Sequence, residues 1–297
     1  MKAFPVHSPK SFFSRSNLSF LLAGGSKKLI PWKMVFGLLL LMLYVPTANA
    51  QGLHVPYVTT PPEVVDRMME IADVGPGDYV IDIGSGDGRI LIEAARRGAV
   101  GHGLEIDPEL ARKAEKNAQQ HSVAEKIMFL KKNVFHADFS QATVITSYMT
   151  TTLHTRLRPS LLKDLRPGAR VVSHDFHMGQ WKADKHVEMG DHEIYYWVVP
   201  ATVEGRWYWK ANGKEFSMSA RQTFQEIRIK VKSGDTFLKV DNSKLNGKRI
   251  SFTAKNPENG NHYTYYGVVD EIIIEGLVQT DSGNQQWIEN WSATLHK

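Results

Sequence analysis

The chain has 297 residues, no cysteine and a formal charge of +5. Residues 1–50 hold six basic residues and no acid, so the remainder carries 30 basic against 31 acidic residues, a net of −1. The basic balance belongs to the leader, and with no basic stripe elsewhere a nucleic-acid partner is not expected. The absence of cysteine rules out a thiol nucleophile and any disulfide framework.

Lys27, Lys28 and Lys33 precede an apolar run from Met34 to Val45, followed by Pro46 and Ala48-Asn49-Ala50. A positive segment, a 12-residue apolar core and a small-x-small site form a secretory leader, residues 1–50, with a mature start at Gln51. The run falls short of the ~20 residues of an ordinary membrane span. The expected location is therefore periplasmic or secreted, with no stable span after cleavage; an uncleaved anchor is the alternative.

Thr60-Pro61-Pro62-Glu63 reads as a helix start, with Thr60 as N-cap and Glu63 closing a capping box. Val64, Val65, Met68, Ile71 and Ala72 then recur at helical spacing. Tyr79-Val80-Ile81-Asp82-Ile83 reads as a buried strand, running into Gly84-Ser85-Gly86-Asp87-Gly88-Arg89 and a helix from Ile90. Glycine at every second position lets the backbone bend sharply and approach a ligand without a Cβ in the way. The helix amides behind the loop can face a polar group. Arg89 stands where a dinucleotide fingerprint requires glycine. Asp82 would repel a pyrophosphate and suits a ligand bearing an ammonium group.

A strand over Val100–Glu105 ends in an acid 17 residues past Gly88, the distance at which a carboxylate can take both hydroxyls of a ribose. A helix over Leu110–Gln120 follows. Strands are expected at Lys126–Leu130, Thr143–Tyr148 and Ala169–Ser173, with a helix over Leu153–Leu162 between the last two. Alternating strands and helices imply a parallel α/β sheet whose ligand lies at the strand carboxyl ends.

The acid-before-glycine loop and the downstream acid resemble the class I S-adenosylmethionine-dependent methyltransferases, with their Rossmann-like sheet. Pro56-Tyr57-Val58-Thr59-Thr60-Pro61, Asp82 to Ile90, Gly103-Leu104-Glu105-Ile106-Asp107-Pro108 and Val171-Val172-Ser173-His174-Asp175-Phe176 narrow the resemblance. Together they are similar to the family of mitochondrial lysine methyltransferases acting on the ATP synthase c-subunit and the adenine nucleotide translocase, and to its bacterial relatives. The resemblance spans about Val55 to Lys185. It implies S-adenosylmethionine as cofactor, with Asp82, Gly84, Ser85, Gly86, Asp87 and Gly88 around the methionine part. Glu105 would take the ribose and Asn133 the adenine amino group. It further implies a protein lysine as acceptor; Tyr57 of the Pro-Tyr-Val segment, and Tyr148, Thr150, His174 and Asp175 after two strand ends on the ligand side of the sheet, are expected to line its channel. Two other readings stay open: methylation of a small molecule, and an exported binding module that keeps the fold without turnover. Export itself conflicts with a methyl donor made in the cytosol.

Beyond about residue 187 the pattern becomes nearly all β. Strands are expected at Glu193–Val199, Arg206–Lys210, Glu226–Lys232, Arg249–Ala254, Tyr263–Tyr266, Val268–Glu275 and Trp287–Leu295, with Gly/Asn/Asp turns between them. Alternating polar and apolar positions imply an antiparallel sandwich or small barrel. The division expected is thus 1–50 leader, 51–187 methyltransferase domain and 188–297 C-terminal β domain, with a linker near Lys182–Met189. His174 and His177, three apart at a strand end, do not converge as they would on a helix, so no metal ligand set is expected.

Overall fold

The computed structural model describes residues 58–211 and 213–296; the leader and Tyr57 lie outside them. Helix α1 spans Pro62–Ile71 and buries Val64, Val65 and Met68 as its spacing predicts, together with Met69, while Ile71 is only half-buried. Pro61, not Thr60, is its N-cap, and no side chain caps it. The Thr60 hydroxyl is used elsewhere, on His174.

Strand β1 (Tyr79–Ile83), helix α2 (Arg89–Arg96), β2 (Val100–Glu105), α3 (Pro108–Gln120), β3 (Ile127–Lys131), β4 (Val144–Ser147), α4 (Thr151–Asp164) and β5 (Arg170–His174) alternate as expected. Each strand lies parallel to its neighbours within the order β3-β2-β1-β4-β5. Val80, Ile81, Val144, Ile145, Val171 and Val172 are fully buried, because helices cover both faces of such a sheet. Sheet order reverses on either side of β1, so the crevice at its carboxyl end opens between β1 and β4.

The sheet does not stop at residue 187. A hairpin of β6 (Lys185–Met189) and β7 (His192–Val198) completes it, with β7 antiparallel to β5, giving the order β3-β2-β1-β4-β5-β7-β6. The expected linker at Lys182–Met189 is therefore a sheet strand, and the change of architecture falls after Val198. Trp197 Nε1 donates to Trp181 O at 2.9 Å, and both indoles are fully buried. Their burial anchors the hairpin to the sheet, which local alternation alone could not reveal.

Strands β8 (Gly205–Ala211), β9 (Lys214–Thr223), β10 (Glu226–Ser233), β11 (Thr236–Asn246), β12 (Arg249–Lys255), β13 (His262–Asp270), β14 (Ile273–Asp281) and β15 (Gln286–His296) close into an eight-stranded antiparallel barrel. Of the two all-β forms expected, the barrel is the one observed. Closure comes from β15 pairing with β8, Thr294 against Tyr208 and His296 against Arg206. On β10, Ile227, Ile229 and Val231 point inward while Arg228 and Lys230 face water. Trp207, Trp209, Phe216, Phe252, Tyr265 and Trp291 fill the interior, which in an eight-stranded barrel is just wide enough for side chains. Gly267 makes room for them, since a Cβ there would lie 3.0 Å from the Trp291 ring. The strand expected over Val268–Glu275 is in fact two, turned at Glu271, whose φ of 51° carries no glycine signal.

The connection after β7 is buried, with Val199, Ala201 and Val203 almost fully covered. Gln222 holds it by accepting from Val203 N (2.7 Å) and donating to Ala201 O (2.8 Å). Phe224, at the β9–β10 turn, stacks on Trp181 with centroids 6.0 Å apart. Barrel and sheet belong to one compact unit. Trp291→Ala is expected to lower stability by about 3–5 kcal/mol, the usual cost of emptying a large aromatic site, read from urea unfolding.

Candidate active site

The loop after β1 is shaped by its neighbours. Gly84 and Ser85 donate backbone N–H groups to Leu104 O at 2.9 and 3.1 Å, folding the loop back over the end of β2. Gly84, Gly86 and Gly88 have φ of 72°, 53° and 82°, the left-handed region that glycine adopts without a Cβ penalty. At Gly88 a Cβ would also lie 2.6 Å from the Phe129 ring. Gly88 is the N-cap of α2, whose opening amides end at this loop.

Two carboxylates meet here because β1 and β2 pair in register, Asp82 beside Gly103. Glu105 Oε2 accepts from Gly86 N at 2.9 Å, and Oε1 accepts from Ile106 N (2.8 Å) and Asp107 N (2.9 Å). Its position is therefore fixed by three backbone donors. Asp82 is almost fully buried; Oδ1 accepts from Thr146 Oγ1 at 2.6 Å, while Oδ2 has no hydrogen-bond partner among the described residues. Burial pushes its pKa up to about 7, opposed by the Thr146 hydroxyl and reinforced by Glu105 and Asp87. Ser85 Oγ is a second buried oxygen without a partner among the described residues.

Asp87, one of the residues expected around the cofactor, accepts from Arg89 Nε (2.9 Å) and from its second guanidinium nitrogen (2.7 Å). Arg89 in turn donates to Thr60 O at 2.9 Å, so this pair ties the glycine loop to the segment before α1. Asn133, just past β3, accepts from Phe135 N (3.0 Å) and caps the 3₁₀ turn Val134–His136. A carbonyl oxygen has two lone pairs, so one remains for an adenine amino group.

At the ends of β4 and β5 lies a second constellation. Tyr148 donates to Asp175 Oδ2 at 3.1 Å and packs on His174, ring centroids 4.0 Å apart. Burial, then the Asp175 carboxylate, push the Tyr148 hydroxyl pKa up, keeping it a donor. His174 is fully buried, with Nδ1 3.1 Å from Thr60 Oγ1 and Nε2 3.0 Å from His192 Nδ1. Burial holds its pKa down at about 4, against the nearby Asp175 and with His192. Asp175 sits at φ 59° and accepts from Glu193 N at 2.8 Å. Thr150 is the N-cap of α4 without a side-chain cap bond. Of the expected acceptor residues, the structure thus clusters Tyr148, His174 and Asp175, and Tyr57 lies outside the described residues.

Three participants carried no readable signal. Thr60 looks like a helix cap, Arg89 like the first residue of a helix, and His192 lies in a hairpin expected in the other domain. Ser147 and His154, 2.8 Å apart and buried beneath this cluster, were equally hidden. Burial pushes His154 down to about 4, so it packs as a neutral ring.

The residues present fit S-adenosylmethionine. A buried carboxyl oxygen without a donor suits an ammonium group, the glycine loop admits close approach, and Glu105 stands one strand over for the ribose. Fold and site together define an S-adenosylmethionine-dependent methyltransferase. Residues 82–185 match the model of the ANTKMT methyltransferase domain. A protein-lysine N-methyltransferase of Saccharolobus islandicus is 42% identical over 166 residues, covering 53% of this chain and 98% of that protein. The human lysine N-methyltransferase of the ATP synthase c-subunit is 27% identical over 184 residues, covering 59% of this chain and 75% of that one. A solved RNA methyltransferase from Salinibacter ruber, in complex with S-adenosyl-L-homocysteine, is 49% identical, covering 49% of this chain and 96% of that one at a TM-score of 0.48. At 42% identity over nearly the whole of the Saccharolobus protein, the chain belongs to that protein's methyltransferase family.

Asp82→Asn separates the carboxylate's two roles. A carboxyl whose folded pKa is raised from 3.8 to about 7 contributes stability below pH 4 that is lost as pH rises through 7. The amide should therefore stabilise the ligand-free protein by a few kcal/mol at pH 8, each pKa unit being worth about 1.4 kcal/mol. Cofactor binding by calorimetry should nevertheless be lost, because no charge then faces the ammonium group.

Proposed function

We propose that this enzyme N-methylates a lysine side chain of a protein. The observation carrying this reading is the Tyr148–His174–Asp175 cluster, set at the ends of β4 and β5 beside the cofactor loop. Its carboxylate attracts a primary ammonium, and its aromatic faces favour a cation and exclude water. The family relatives that act on lysine support the same acceptor.

When bound, S-adenosylmethionine supplies a methyl group already activated on a sulfonium. The protein's own task is alignment and control of one proton. A lysine of pKa about 10.4 gives up its proton at pH 7 at a cost of roughly 4–5 kcal/mol. Desolvation and a neighbouring sulfonium both favour the neutral amine. His174, neutral at pH 7, adds no opposing cation. Asp175, fixed through Glu193 N, and the Tyr148 hydroxyl would orient the amine nitrogen toward the methyl group that bound S-adenosylmethionine would supply. Asp82 holds the donor's ammonium group in its charged state.

Incubating residues 51–297 with labelled donor and a lysate of the source cells, followed by mass spectrometry, should place label on protein lysine. Label confined to small molecules or nucleic acid would defeat the lysine assignment; cofactor binding without any label would favour a binding module. With a lysine acceptor, kcat/KM should rise from pH 6 to pH 9. Asp82 gains its charge through about pH 7, and above that the neutral amine fraction grows.

The tripartite leader supports export, with a mature protein that starts at Gln51. N-terminal sequencing of the native protein from fractionated cells should read Gln51 onward, and an intact Met1 in the cytosol would refute export.

A further inference from the structure

The acceptor-side cluster carries more than an amine pocket. His174 Nε2, Asp175 Oδ2 and His192 Nδ1 form a triangle with sides of 3.0, 3.3 and 3.7 Å. A tetrahedral zinc ion with ligand bonds of about 2.0–2.1 Å separates its ligand atoms by roughly 3.3 Å. We propose that these three residues form a binding site for a divalent transition-metal ion of the zinc type.

The supporting groups are those a metal site requires. His174 is fully buried, and its other ring nitrogen lies 3.1 Å from Thr60 Oγ1, which fixes the ring and directs Nε2 at the triangle. Asp175 Oδ1 is held by Glu193 N at 2.8 Å, and Oδ2, which also accepts from Tyr148, lies near both imidazoles. The left-handed backbone of Asp175 turns the carboxylate back across the strand end. His192 starts β7, whose antiparallel pairing with β5 delivers it to His174 from 18 residues away. His192 and Asp175 side chains are 34% and 23% exposed, which leaves a path for an ion. Two imidazoles with one carboxylate suit zinc, cobalt or nickel and are a poor set for magnesium or calcium. Three protein ligands leave a fourth position open, the arrangement of sites that exchange a water or substrate atom.

A second group, His186, Glu188 and Glu193, is more exposed and provides the internal control. An ion in the triangle would compete with an incoming amine for Asp175 and oppose methyl transfer. That consequence rests on the lysine reading, whereas binding does not.

The test uses tag-free, chelator-stripped residues 51–297, titrated with Co²⁺ without donor or acceptor. One ion per chain should bind, with the visible absorption of four-coordinate cobalt, and Zn²⁺ should displace it. His192→Ala and the milder Asp175→Asn should each weaken binding by roughly tenfold or more, with thermal melts confirming the fold, while His186→Ala leaves it unchanged. Absence of stoichiometric uptake would overturn the site. So would binding lost in His186→Ala and kept in both other variants. Metal binding without lysine methylation would sink the function proposed above and leave the site standing.

Discussion

The buried carboxyl of Asp82 is the constraint around which the catalytic end of the sheet is arranged. Parallel pairing of β1 with β2 and β4 brings Asp82 to within reach of Thr146 on one side and Glu105 on the other. One oxygen is satisfied by Thr146 and the other has no donor among the described residues. An uncompensated buried carboxylate is costly, so the ligand-free protein holds this group near neutrality with a pKa of about 7. A cationic ligand removes that cost. The same atom that weakens the empty protein therefore gives the site its preference for a positively charged cofactor.

Glu105 shows the opposite arrangement. It accepts three backbone N–H bonds, one of them from Gly86 inside the loop, and so sets the loop's shape as well as offering a hydroxyl acceptor. Arg89 extends the order outward, since its guanidinium joins Asp87 to the carbonyl of Thr60. Thr60 then reaches His174 through its hydroxyl. A continuous path of polar contacts thus links the cofactor loop, the segment before α1 and the acceptor-side cluster. Rigid placement of both reactants is what an in-line transfer needs, and here it follows from the backbone donors that fix Glu105 together with the side-chain links through Arg89 and Thr60.

The β6–β7 hairpin joins the two chemistries of the fold. It finishes the seven-stranded sheet, carries His192 to the site, and continues through a buried connection into the barrel. The barrel has no open edge, because β15 pairs back onto β8, and its aromatic interior is packed independently of the sheet core. Phe224 and Gln222 at the near end hold it against Trp181 and the connecting segment.

What the sequence determined by itself was everything that rests on local periodicity or on loop geometry. The β-α alternation over 79–174, the glycine loop with Asp82 before it, Glu105 at the next strand end and the alternation of β10 all follow from spacing along a single element. Tertiary structure decided whatever depends on pairing partners. Alternating residues at 185–198 suit a sheet edge or a barrel equally, and the buried Trp181–Trp197 contact is what assigns them to the sheet. A turn at Glu271 has no glycine, and only its cross-strand register reveals it. Thr60 could serve a helix end or a distant histidine, and the hydrogen bond to His174 made that choice. His192 has no meaning until antiparallel pairing brings it beside a residue 18 positions earlier. Periodicity records which face of an element is buried, but not what that face is buried against.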